Sequence, residues 1–386
     1  MRFEAYTLNE LATIKYGKNQ KKVASEDGSI PIYGTGGLMG YATEALYDQP
    51  SVLIGRKGTI DKVRFVNHPF WTVDTLFYTI VNEDVVIPKY LFYVLSGMDL
   101  SRYNEGTTIP SLRTETLNRL ELKIPDLDNQ KRILTSVEPL EQRITLNKQI
   151  NENLQEQVKA LFQAMFISSE DRLSWKCGTF SDLIDSTLGG DWGKATPTGN
   201  NTEMVYCIRG ADIPEVNAGN KGKMPTRYIL PKNFASKRLL PGDIVVEISG
   251  GSPTQSTGRV AAISQSLIDR YDKGMVCTNF CRAIKPKSGY SMFVYYYWQY
   301  LYDRNVFFSY ENGTTGIKNL DLSGFITTEE IIIPPYELIQ KFDEYCQIVF
   351  DQTFANGLEN EKLSSLRDAL LPRLMSGELD VSDFDL

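Results

Sequence analysis

From residue 133 onward, ten positions spaced alternately four and three apart trace one stripe. They are Ile133, Val137, Leu140, Ile144, Asn147, Asn151, Leu154, Val158, Leu161 and Met165. A stripe that repeats every 3.5 residues belongs to a helix that supercoils to keep one face against a partner. Such a helix cannot stand alone in water, so the chain has to supply a second stripe. Asn147 and Asn151 interrupt the apolar run at its middle.

The second stripe is found by looking for self-similarity. Thr7-Leu-Asn-Glu-Leu near the start is answered by Thr179-Phe-Ser-Asp-Leu. Pro88-Lys-Tyr-Leu-Phe-Tyr-Val-Leu95 is answered by Ser291-Met-Phe-Val-Tyr-Tyr-Tyr-Trp298, both amphipathic and aromatic at helical spacing. Gly106-Thr-Thr-Ile-Pro-Ser-Leu112 matches Gly313-Thr-Thr-Gly-Ile-Lys-Asn-Leu320. Leu122-Lys-Ile-Pro125 matches Ile331-Ile-Ile-Pro334, each a short strand stopped by proline. A long helix follows each copy, over 128–166 and about 337–370. The second carries the seam Leu338, Phe342, Tyr345, Val349, Gln352, Asn356, Glu359, Leu363, Leu366 and Leu370, with Phe350, Phe354 and Leu358 as a competing stripe. Both seams are apolar at the ends and polar in the middle. Pro139 is expected to open the main run of the first helix, leaving a short helix over 127–138. Ser51-Val-Leu-Ile-Gly55 and Asp243-Ile-Val-Val-Glu-Ile248 are the clearest strands, each leading into a Gly-rich loop.

The fold class expected is therefore α/β (α+β), with two similar domains, two long antiparallel coiled-coil helices and a pseudo-twofold internal repeat. The boundaries read as 1–125, 126–172, 173–335 and 336–386. At 386 residues the chain is long enough for two or three domains. Five scattered Cys point to reduced thiols. No apolar run approaches 18 residues and the N-terminus shows no signal pattern, which gives a cytoplasmic expectation. The net charge of −7 is local. Residues 343–386 hold ten acids and three bases, which leaves 38 of each sign in the other 342 residues.

Several chemistries are hard to build here. His68 is the lone histidine, and its place before Pro69 fits a structural role. Cys277 and Cys281 have metal-ligand spacing without a second pair, so no metal site is expected. Gly34-Thr-Gly-Gly-Leu-Met-Gly40 lacks the Gly-Lys-Ser/Thr of a phosphate-binding loop. Ile333-Pro-Pro-Tyr336 resembles an amino-methyltransferase motif but starts with a residue that cannot accept a hydrogen bond. No catalytic constellation is found.

The loops offer cations and small polar groups instead. In the first copy these are Lys18, Lys21, Lys22, Arg56, Lys57, Lys62, Arg64 and Arg113. In the second they are Arg209, Arg227, Lys232, Ser249, Gln255, Ser256, Thr257, Arg259 and Lys318. Arg and Lys suit phosphates and guanine, and Gln suits adenine, although each cation taken alone fits a solvated surface better. The aromatic run Tyr295, Tyr296, Tyr297, Trp298 and Tyr300 reads as core rather than as a base-stacking platform.

The whole chain resembles the specificity subunit of a type I restriction–modification system. The resemblance lies in Ile30-Pro-Ile-Tyr-Gly-Thr-Gly-Gly-Leu-Met-Gly-Tyr41, Gly55-Arg-Lys-Gly-Thr-Ile60, Ile248-Ser-Gly-Gly-Ser-Pro-Thr-Gln-Ser-Thr-Gly-Arg259 and Leu370-Leu-Pro-Arg-Leu-Met-Ser-Gly-Glu-Leu379. The usual Pro-x-x-Glu-Gln start of the first helix is Pro125-Asp-Leu-Asp-Asn-Gln130 here, which keeps Gln130 but has Asn129 for Glu. The resemblance implies two target-recognition domains that each read half of a split, asymmetric DNA target, and no catalysis by this chain. It implies two modification (methyltransferase) subunits and restriction (translocase–nuclease) subunits as partners. S-adenosylmethionine, ATP and Mg²⁺ would belong to those partners. The rival expectation is a protein-interaction scaffold that does not touch DNA. Residues 139–166 would span about 42 Å as a helix, close to the ~34–36 Å between half-sites one DNA turn apart. Asn147 and Asn151, beside Gln352 and Asn356, are expected to lock the register of the pair. Replacing both by Leu is expected to stabilise it and loosen the register.

Overall fold

The computed structural model describes residues 1–252, 254–313 and 317–382. Pro253, and Thr314, Thr315 and Gly316 of the second Gly-Thr-Thr motif, lie outside them. In the first domain β1 (Phe3–Thr7) pairs antiparallel with β9 (Glu121–Pro125) and closes the domain at its ends. Between them come β2 (Ala12–Tyr16), β3 (Ile30–Gly34), β4 (Gly37–Ala42), β5 (Ser51–Gly55), β6 (Val63–Val66), β7 (Trp71–Thr72) and β8 (Leu76–Val81). Four of these form the antiparallel sheet β2-β8-β5-β6, and three form the small sheet β4-β3-β7. Helix α1 (Pro88–Ser96) packs Tyr90, Leu91 and Leu95 onto the larger sheet, with Val52, Ile54 and Phe77.

Helix α2 (Leu127–Phe162) follows β9 and runs unbroken through Pro139, contrary to the expected break. Pro139 removes the donor for the Thr135 carbonyl, but both residues are exposed, so water satisfies that oxygen. Gln130 fixes the start of α2. Fully buried, it accepts from Ile87 N at 2.8 Å and donates to the carbonyls of Val85 and Pro125, each at 2.8 Å. Asn129, in place of the usual Glu, donates from both its backbone and side-chain nitrogens to Asp126.

The second domain repeats the three sheets of the first and adds a small sheet of its own. Its strands are β10 (Lys176–Thr179), β11 (Ile184–Gly189), β12 (Glu203–Ile208), β13 (Thr226–Ile229), β14 (Ile244–Glu247), β15 (Ser249–Gly250), β16 (Val260–Ala262), β17 (Met275–Cys277), β18 (Cys281–Pro286), β19 (Glu311–Asn312), β20 (Lys318–Leu320) and β21 (Glu330–Ile333). The sheet β11-β18-β14-β16 answers β2-β8-β5-β6, and β13-β12-β17 answers β4-β3-β7, down to one parallel pairing in each small sheet. The closing pair β10–β21 answers β1–β9. The Thr7 and Thr179 motifs prove to be matched turns: each threonine N–H donates to the carboxylate three residues on, Glu10 and Asp182.

A long connection is added after β12. The connection from β12 to β13 spans residues 209–225 and holds the short α3 (Ile213–Asn217), whereas β3 and β4 are joined by residues 35–36 alone. Helix α4 (Ser291–Asp303) buries Tyr295, Tyr296, Tyr297 and Trp298, so the aromatic run is core as its spacing implies. Helix α5 (Tyr336–Ser376) closes the chain. By contacts the chain divides into two compact units, Met1–Gln142 with Leu363–Leu386, and Arg143–Lys362, so each long helix contributes to both.

All ten seam positions of α2 are buried or half-buried. On α5 the buried stripe is rotated from the expected one. It runs Ile339, Phe342, Cys346, Val349, Thr353, Asn356 and Asn360, while Tyr345, Gln352 and Leu366 are exposed. The rotation has a packing cause: Phe350 and Phe354 of α5 dock into the core of the second domain with Val216, Leu267 and Ala283, and this rolls the helix toward it. Phe350 and Phe354 belong to the competing stripe read from the sequence, whereas its third member, Leu358, is exposed.

Candidate nucleic-acid interface

The polar middle of the helix pair lies within the second unit. Asn356 donates to Asn151 Oδ1 at 2.8 Å, and Asn147 donates to Asn360 Oδ1 at 3.0 Å and to Glu359 at 2.7 Å. The pairing is antiparallel, since 147 meets 360 and 151 meets 356. Gln352 is outside the layer and donates to Asn356 along its own helix, so Asn360 takes the place expected for it. Arg143 grips Glu359 with two bonds, of 3.0 and 3.1 Å.

The same layer anchors the inserted loop 217–220. Asn151 Nδ2 donates to the carbonyls of Thr353 at 3.0 Å and Ala218 at 3.1 Å, and Gln155 donates to Asn217. Arg270 bridges Gly219 O at 2.8 Å and Glu361 at 2.7 Å. A Cβ on Gly357 would lie 1.9 Å from Gly219 O, so the loop lies on bare backbone. These contacts reverse the expected sign for replacing both asparagines by Leu. Asn356, Asn360 and the Ala218 carbonyl would lose these partners, which destabilises.

In the first domain two loops meet beyond the ends of β5 and β8. Leu112 N donates to Arg56 O and Gly58 N to Pro110 O, each at 2.9 Å, and Lys57 bridges Ser111. Arg56 donates to Asp74 O at 2.9 Å and holds its guanidinium 5.0 Å from the centre of the exposed Tyr16 ring. Lys57 and Lys62 are exposed on the same loop, and Lys18, Lys21 and Lys22 are exposed on the segment after β2. Arg64 lies on β6 with its guanidinium beside Gly37. Arg113 pairs with Glu105 at 3.1 Å. Among the described residues no carboxylate lies within ion-pair distance of Lys18, Lys21, Lys22, Arg56, Lys57, Lys62 or Arg64. His68 sits 3.3 Å from Tyr33 Oη and 3.0 Å from Pro69 O, in the structural role expected.

The second domain builds the same loop pair from different contacts. Leu320 N donates to Ile248 O at 2.8 Å, and β20 pairs with β15 on one side and β19 on the other in a small sheet. Its cations are tied to acids. Arg259 forms two 2.8 Å bonds to the buried Glu247, which raises the arginine's pKa. Lys318 meets the buried Glu311 at 2.7 Å, and Arg209 makes two bonds to Asp212, at 2.9 and 3.0 Å. Thr257 gives both its N–H and hydroxyl to Glu311 and is buried, as is Ser256, so neither side chain is displayed. Gln255 is exposed at the loop tip. The loops thus bring Gln255, Ser256, Thr257, Arg259 and Lys318 together, while Arg209 belongs to the insertion. Arg227 lies 4.1 Å from the Trp192 ring centre on the small sheet.

The carboxylates that engage these cations were not read from the sequence. Arg209 and Asp212 are three apart and could have been paired on that spacing, but Glu247 reaches Arg259 only because β14 and β16 are neighbours.

Two α/β domains that each present a loop pair carrying basic and polar groups, together with a seam of paired helices, define a protein built to read something twofold. Residues 2–156 match the family described as type I restriction modification DNA specificity domain. The type I restriction enzyme HindI specificity subunit of Haemophilus influenzae is 24% identical, with 80% of this chain and 81% of that protein covered. The MjaIX specificity subunit of Methanocaldococcus jannaschii is also 24% identical, over 88% of this chain and 79% of that one. The crystal structure of the S subunit from M. genitalium has the same fold, with a TM-score of 0.59 at 15% identity, covering 97% of this chain and 96% of that one. Over most of its length the chain is thus similar to type I restriction enzyme specificity subunits. No helix among the described residues is long and apolar enough to cross a membrane.

Proposed function

We propose that this chain is the non-catalytic DNA-binding subunit that selects the target of a type I restriction–modification complex. Each domain reads one half of a bipartite, asymmetric sequence. Two methyltransferase subunits and the restriction subunits assemble on the chain and bring S-adenosylmethionine, ATP and Mg²⁺ with them. The observation that carries this reading is the duplicated loop pair, with Arg56, Lys57, Lys62 and Arg113 at one copy and Gln255, Arg259 and Lys318 at the other. Cations of this kind position a duplex through its phosphates, and polar tips read base edges. The scaffold alternative has no use for unpaired cations at one edge, and the match to a DNA specificity domain speaks against it.

The test is duplex binding by the chain with and without its methyltransferase partner, across a salt series. Sequence preference and a steep loss of affinity with salt are expected. Salt-insensitive binding without preference would contradict the reading. Incubating the chain alone with labelled S-adenosylmethionine and DNA should transfer no label, and transfer would show a catalytic site in this chain.

A further inference from the structure

Hydrogen bonding makes Ile109 and Ile317 the same position of the repeat. Leu112 binds Arg56 O as Leu320 binds Ile248 O, and Ser111 bridges Lys57 as Asn319 pairs with Ser249. Counting back three from each buried leucine reaches an isoleucine, and each is 59% exposed. The backbone of both is held by a close glycine. A Cβ on Gly106 would lie 1.9 Å from Ile109 O, and one on Gly313 would lie 2.8 Å from Ile317 O. Gly106 and Gly313 each lie against the isoleucine's carbonyl, and both isoleucine side chains are exposed.

A large exposed apolar side chain is unremarked singly, but two at one repeat position need a common cause. Their neighbours narrow the partner. Arg56 and Lys57 adjoin the first loop through Leu112 and Ser111, whereas Lys318, next to Ile317, is already paired with Glu311. At the first loop an apolar tip beside unpaired cations fits a partner that is anionic outside and apolar within, and the second repeats the apolar tip. Duplex DNA has this layering, with phosphates at the rim and base surface in the grooves.

We infer that Ile109 and Ile317 are the apolar base contacts of the two half-sites, each resting on a thymine methyl or on the face of an opened base step. The inference rests on the DNA-reading function proposed above. The side chains set specificity and leave affinity for phosphate to the cations.

The test uses the full chain in complex with its methyltransferase subunits, on a duplex carrying its methylated target and on a scrambled duplex. Ile109→Ala and Ile317→Ala are each expected to lower target binding about tenfold, with scrambled binding unchanged and with the loss confined to opposite half-sites. Ile109→Val should retain most of the preference. Two further arms separate the surfaces. Deoxyuridine in place of thymine weakens the wild type but not the alanine variant if a methyl is touched. 2-Aminopurine brightens with the wild type alone if a step is opened. Unchanged preference in both alanine variants, equal loss on both duplexes, or no response in either arm would overturn the inference. A wild-type complex indifferent to sequence would instead remove the DNA-reading function beneath it.

Discussion

The two domains share strand order and loop placement, yet they hold their cations differently. In the first, Arg56 leans on a backbone carbonyl and a tyrosine ring, and Lys18, Lys21, Lys22, Lys57 and Lys62 have no carboxylate within ion-pair distance among the described residues, while Arg113 pairs with Glu105. In the second, Arg259, Lys318 and Arg209 are each committed to an acid whose side chain is buried. One scaffold thus carries two chemistries. Most of the first domain's loop cations are unpaired, whereas Arg259 and Lys318 of the second are fixed struts beside Gln255. The second domain also carries a clamp that the first lacks, loop 217–220 on the backbone of α5.

The largest contrast should come from removing a strut. Glu247→Ala leaves Arg259 partly buried without a partner and should cost about 3 kcal/mol or more. Arg56→Ala in the first domain should change stability by no more than about 0.5 kcal/mol. Chemical denaturation of the two variants checks the difference, and equal losses would erase it.

Two substitutions probe the clamp. Asn151→Leu strands Asn356 and the carbonyl of Ala218, for a cost of about 1–3 kcal/mol. Gly357→Ala should cost a similar ~1–3 kcal/mol by overpacking against Gly219. Both are read by melting, and a stabilised Asn151→Leu chain would mean the layer is dispensable.

Salt dependence sharpens the comparison of the loops. Neutralising Arg56 and Lys57 together should flatten the slope of log affinity against log salt by about 1–2 units, at about 0.9 per phosphate contact. Neutralising Lys318, already paired, should flatten it less. The smallest effect is expected at Glu359. The Arg143 hydrogen bond, then that from Asn147, holds its carboxyl below the ordinary value. Its contribution is therefore present above the unfolded pKa of about 4.3 and is lost as pH falls through the lower folded value. Glu359→Gln should remove that acid-side dependence, seen in melts between neutral and acid pH.

Much of the fold was legible because repeats and periods survive in sequence. The α2 seam, the strands at 51–55 and 244–247 and the aromatic core helix all follow from spacing. The α5 stripe was displaced because Phe350 and Phe354 answer to a second core, and Pro139 was tolerated because its orphaned carbonyl faces water. The loop cations could be named, but whether each meets a carboxylate depends on strand neighbours. Glu247 and Arg259 are twelve residues apart and meet only across the β14–β16 pairing.

The central claim is that the two domains read separate halves of one target. Exchanging residues 1–125 for those of a relative, then profiling methylation across a genome carrying the system, tests it directly. The account predicts a changed sequence in one half-site, with the other half and the spacing retained. A change in both halves, or in neither, would contradict it.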